Sequence, residues 1–197
     1  MPSRNQRGLS LIELLIVVAI IGLIAGVGLP SFASMHRRNA VKAACAELRT
    51  TFYLARSRAI AHDRNSGLKF ETVDGEWRFA LYDDGDGDGL RSDDIRRGVD
   101  RRVTPLRRVL PESAAAKIGL PPVPIVDPDG DRIAAGASPV QFNRSTICSF
   151  SPVGSSTPGT IYITDDVGEL WAVRVYGTTA KMRLLRYDAA RKRWEQR

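Results

Sequence analysis

The chain has 197 residues, enough for one domain and an appendage at roughly 100–200 residues per domain. Apolar residues make up 43% of it, sufficient for a globular core. The formal charge of +7 sits at the two ends, on Arg4 and Arg7 and on a tail from Lys181 to Arg197. Residues 9–180 sum to neutral, which excludes a generally cationic surface.

Residues 1–8 precede an apolar run from Leu9 to Leu29 that holds a single charge, Glu13. The run exceeds the roughly 7–15 apolar residues of a secretory signal. It reaches the roughly 20 that span a bilayer. A helix apolar on every face also fits poorly in the core of a small soluble protein. Residues 9–32 are therefore expected to be a transmembrane helix. Arg4 and Arg7 predict a cytoplasmic N-terminus and a body on the far side of the inner membrane. A carboxylate within such a run is costly and calls for a partner. If the chain is cut after Gly8, the new amine at Leu9 supplies one: Glu13 of one subunit pairs with the amine of a neighbour and sets their register.

The stretch Arg7-Gly8-Leu9-Ser10-Leu11-Ile12-Glu13-Leu14-Leu15 resembles the processing motif of type IV pilins and type II secretion pseudopilins. Pro30, residue 22 of a chain beginning at Leu9, is similar to the proline at which family helices often kink. Leu9 departs from the commoner phenylalanine or methionine. The resemblance implies cleavage between Gly8 and Leu9 by prepilin peptidase, N-methylation of Leu9, and assembly with other pilins or pseudopilins through Glu13 and Pro30.

From 33 to 66 the pattern turns amphipathic. Val41, Cys45, Leu48, Phe52, Ala55 and Ala59 advance by four and three and so share one helical stripe. His62 to Gly67 is expected to end the helix, with Gly67 in a left-handed turn. Beyond it the period is two. Residues 67–73 and 76–82 read as a hairpin around Asp74-Gly75. Further strands are expected at 138–142, 147–150, 159–164, 169–176 and 181–187, with a long loop over 111–137. One long helix followed by antiparallel strands defines an α+β fold, with residues 67–197 as the β-rich, periplasmic domain. Phe150-Ser-Pro-Val-Gly154, Gly159-Thr-Ile-Tyr-Ile163 and the hairpin around Gly177–Arg183 resemble the GspH/FimT group of minor pseudopilins. This resemblance implies a pilin-like fold.

Three candidate sites lie on the body. Asp84, Asp86 and Asp88 before Gly89 match the opening of a calcium loop, but position twelve is Ile95 and no exiting helix is predicted. The alternatives are a calcium site and a solvated acidic turn. Cys45 and Cys148 permit one disulfide outside the cytoplasm. At the C-terminus, Lys181 and Arg183 stand where some FimT-like proteins carry a G-R-x-R pattern for holding DNA, with Ala180 in place of the glycine. Arg186, Arg191, Lys192 and Arg193 extend the charge, and Trp194 among them is placed to stack on a base. No nucleophile, base and acid set is visible, so an enzyme is not expected. Two functions follow: a subunit of a type II secretion pseudopilus or type IV pilus, assembled at or near the fibre tip, or a pilus component that captures DNA.

Overall fold

The structure, a computed structural model, describes residues 10–109 and 115–196, and no side chain at 25, 27–31 or 33. The chain forms two compact units, Met1–His36 and Arg37–Arg197. Helix α1 (Leu11–His62) supplies the described part of the first unit and opens the second.

Within the second unit the predicted stripe is the buried one. Val41, Cys45, Leu48, Phe52, Ala55 and Ala59 are all fully buried, joined by Ala44. The helix ends at His62, within the stretch expected to end it, and Asp63 rather than Gly67 takes the left-handed conformation (φ 48°). Gly67 instead lies in the first strand. A Cβ there would stand 2.3 Å from the carbonyl oxygen of Cys148, so glycine is what lets two strands approach.

That strand, β1 (Ser66–Val73), pairs with β2 (Glu76–Asp83) from Ser66↔Asp83 to Val73↔Glu76. Asp74 and Gly75 connect them with φ of 54° and 78°, the double left-handed turn that suits strand twist. Next come α2 (Ser92–Arg97), β3 (Arg101–Arg102), β4 (Lys117–Ile118), β5 (Ile125–Val126), β6 (Arg132–Ile133) and β7 (Val140–Phe142). The chain continues through β8 (Ile147–Phe150), β9 (Gly159–Thr164), β10 (Leu170–Val175), β11 (Met182–Asp188) and β12 (Arg193–Gln196). One antiparallel sheet has the order β3-β2-β1-β8. The other runs β12-β11-β10-β9-β4, with β7 also paired to β9. The fold is α+β and pilin-like.

The main core joins the stripe of α1 to both sheets. Phe52 packs against Phe70, Phe142 and Phe150, with ring centroids 6.0–6.2 Å apart. At the end of the helix, Arg58 grips Asp83 through two parallel bonds. Nε donates to Oδ1 at 2.8 Å and Nη2 to Oδ2 at 2.6 Å, while Ser66 donates to Oδ1 at 2.8 Å. Burial alone raises the Asp83 pKa, but these partners hold the carboxyl below its ordinary range.

Two expectations need correction. The region 111–137, read as a loop from its prolines and glycines, contains β4 and the β5–β6 hairpin in its described part. That hairpin covers the outer face of the second sheet, where Ile125 and Ile133 meet Tyr162, Leu170, Ala172 and Leu185 in a separate small core. The acidic stretch is also followed by a helix, the six-residue α2.

Candidate functional site

Glu13 lies in the first turn of α1, where the helix dipole favours an acid. Every large apolar side chain described from Leu11 to Ile24 is exposed around it, from 49% at Val17 to 79% at Leu11. So much uncovered apolar surface marks a segment built for lipid or for protein neighbours. Gly8 and Leu9, the expected processing pair, lie outside the described residues, as does the side chain of Pro30. The helix is continuous through position 30. Among the described residues no helix is long and apolar enough to cross a membrane. The expected span, 9–32, includes Leu9 and the side chains at 25 and 27–31, which are outside that set.

The structure brings Asp84, Asp86 and Asp88 together, with carboxylate oxygens within 4.8 Å of one another. Asp84 is buried, and its oxygens already accept protein donors. Oδ1 takes the Gly87 and Asp86 N–H groups (2.7 and 3.2 Å), and Oδ2 takes Gly89 N–H and the Asn65 amide (2.8 and 2.9 Å). Burial opposes its ionisation, but these donors bring its pKa below the ordinary value. Asp100 closes the loop by accepting Gly85 N–H and Arg91 N–H.

Three of the six described cations of the tail, Arg186, Arg191 and Arg193, meet acids within the fold. Arg186 donates twice to Glu169, at 2.8 and 3.0 Å, and Glu169 also accepts the Trp171 indole N–H. Burial works against the Glu169 anion, yet Arg186 and Trp171 keep its pKa low. Arg191 contacts Asp188 and Glu195, and Arg193 contacts Glu195. Trp194 is not free to stack on a base. Its indole N–H donates to the Val126 carbonyl at 2.7 Å, and its ring packs on Tyr162 and Tyr187 under the β5–β6 hairpin. Lys181 and Lys192 stay exposed, and the Arg183 guanidinium lies 5.4 Å from the Tyr176 ring. The Glu169–Arg186 link spans 17 residues and emerges only from the pairing of β10 with β11, so nothing in the one-dimensional spacing announced it.

Cys45 and Cys148 are both buried and free, so the permitted disulfide is absent. Each is a small apolar member of the main core. Burial pushes the Cys45 thiol up to about 12 and Cys148 well above its ordinary value, which leaves both unreactive.

A helix with an exposed apolar start, followed by its amphipathic half packed on antiparallel sheets, defines a type IV pilin-like subunit. The family model for type II transport protein GspH matches residues 44–179, and that for the prokaryotic N-terminal methylation motif matches residues 3–29. The chain belongs to the GspH family and is a GspH/FimT-like pseudopilin. Membership implies a membrane-anchored, periplasmic subunit, processed by prepilin peptidase and assembled with other pilins in type II secretion or a pilus. Both families are structural components rather than enzymes. No curated protein and no solved structure matches the chain.

Proposed function

We propose that the chain is a minor subunit at or near the tip of its fibre, cut between Gly8 and Leu9, N-methylated on Leu9 and held in register by Glu13. One observation carries this: Glu13 is the single acidic or basic residue from 10 to 36 besides His36, and its described apolar neighbours are uncovered. In an apolar fibre interior its partner is the amine of an adjacent subunit, and the two charges compensate one another. Glu13→Ala should leave leader removal intact and cut incorporation into fibres by at least about tenfold, the equivalent of ~1.4 kcal/mol. Immunoblots of sheared fibre fractions measure this, and normal incorporation would remove the charge pair from the account.

DNA capture by the tail draws support from fewer residues than the sequence offered. Lys181 is exposed, and Arg183 has no carboxylate partner among the described residues, whereas Arg186, Arg191 and Arg193 are paired. Any affinity should therefore rest chiefly on Lys181 and Arg183, with Lys192 the other exposed tail cation that meets no carboxylate among the described residues. In a gel shift with the full-length protein in detergent, K181A/R183A should abolish a low-salt complex and wild type should lose it steeply as salt rises. An unchanged shift with K181A/R183A would remove this face as a DNA site.

A further inference from the structure

The outward face of α1 in the second unit is unlike that of an ordinary surface helix, which carries charge on the side turned from its core. On the side turned from the buried stripe, at 3.6 residues per turn, lie Ala43, Thr50, Tyr53, Leu54 and Ser57, with Ile60 at the edge of that side. All are exposed and none is charged; Tyr53, Leu54 and Ile60 expose 46%, 54% and 54% of their surface. Along one border of this face run Lys42, Arg49 and Arg56, each seven residues from the last and so aligned in one row. None of the three has a carboxylate partner among the described residues. The cations of the same helix that turn toward the body do have one: Arg37 meets Asp165 and Arg58 meets Asp83. Along the other border, positions 40, 47, 54 and 61 hold alanine, glutamate, leucine and alanine. The one acid there, Glu47, already accepts a 2.8 Å bond from Arg107.

These two borders decide what the face accepts. Subunits anchored in one membrane lie parallel, and in parallel helix pairs the flank of one helix meets the opposite flank of the next. A second copy of this chain would set Lys42, Arg49 and Arg56 against alanines, a leucine and a carboxylate already taken. Three cations would then be drawn toward an apolar contact with nothing to compensate them. We infer that this face docks a helix of a different fibre subunit, one with an apolar seam bordered by carboxylates at seven-residue spacing. It rests on the subunit role proposed above. The chain accordingly takes a heterotypic neighbour along this face and does not stack on itself there.

The missing carboxylates can be added to the chain itself. Full-length protein in detergent micelles carries Ser57→Cys in the middle of the face as a cross-linking reporter; the native thiols are buried. Oxidation of this variant should give little disulfide-linked dimer. Adding A40E and A61E supplies the second border with acids and should raise the dimer yield about tenfold at low salt, from several modest exposed ion pairs acting together. The gain should vanish in high salt or when K42E, R49E and R56E are also present. Efficient dimerisation of the Ser57→Cys chain alone would overturn the inference, as would a yield unmoved by A40E and A61E or by reversing the three cations. A chain found with its leader intact would overturn the subunit role and leave this result as it stands.

Discussion

Replacing Phe52 with alanine should cost about 3–5 kcal/mol and lower the midpoint of thermal unfolding by roughly 10 °C. Phe52 has no exposed surface and stands where α1 meets both sheets. Its ring touches Phe70 on β1, Phe150 on β8 and Phe142 on β7. Truncation removes apolar contact with three strands at once. The cavity cannot close easily, because the surrounding rings are tied to separate sheets. Unfolding of the full-length protein in detergent, followed by near-ultraviolet circular dichroism, measures the loss. A shift of only a degree or two would mean that helix and sheets are joined elsewhere.

Arg58→Ala should cost about 2 kcal/mol, below the ~3–5 of a fully buried pair because the arginine keeps partial access to water. The loss comes mainly from Asp83, which is left buried with Ser66 as its remaining side-chain donor. The pair also predicts a pH dependence. In the folded protein the Asp83 carboxyl ionises below its ordinary value. Its contribution is therefore complete above about pH 4 and is lost as the pH falls through the lowered folded value. Asp84, Asp165 and Glu169 are lowered as well and act in the same direction. Stability should be flat near neutrality and fall steeply on acidification, and Arg58→Ala should show a shallower fall than wild type. An equal acid slope in the variant would contradict this role for Arg58.

What the sequence made legible was whatever repeats at a fixed period. The stripe from Val41 to Ala59 announced a helix, because steps of three and four leave one face apolar. The β1–β2 hairpin announced itself through alternation around Asp74-Gly75. The β5–β6 hairpin did not, because its strands are two residues each and its apolar content rests on Ile125 and Ile133 amid prolines and glycines. Such short strands are held by the sheet beneath them, and no local pattern records that. Helix α2 did carry a signal: Asp93 and Asp94 in its first turn, Arg96 and Arg97 in its last and Gly98 behind them.

The sites divide in the same way. Glu13 stands out in the sequence because its surroundings are uniform. The packing of Trp194 left no local trace because the carbonyl that takes its N–H, on Val126, lies 68 residues earlier in the chain. The charge count of the tail was legible, and the pairing of Arg186 was not, since it meets Glu169 only across paired strands. The outward face of α1 was also missed. Lys42, Arg49 and Arg56 recur every seven residues, but other cations lie between them, and the row acquires meaning only once the inward contacts of Arg37 and Arg58 set those two apart.

The most direct test of the whole account is the mass of the mature protein, isolated from membranes of a cell that makes prepilin peptidase. Intact-mass and N-terminal peptide spectra should show a chain that begins at Leu9 and carries one added methyl group on its amine. A chain that keeps residues 1–8, with no methylated amine, would contradict the fibre-subunit role of Glu13 at its root.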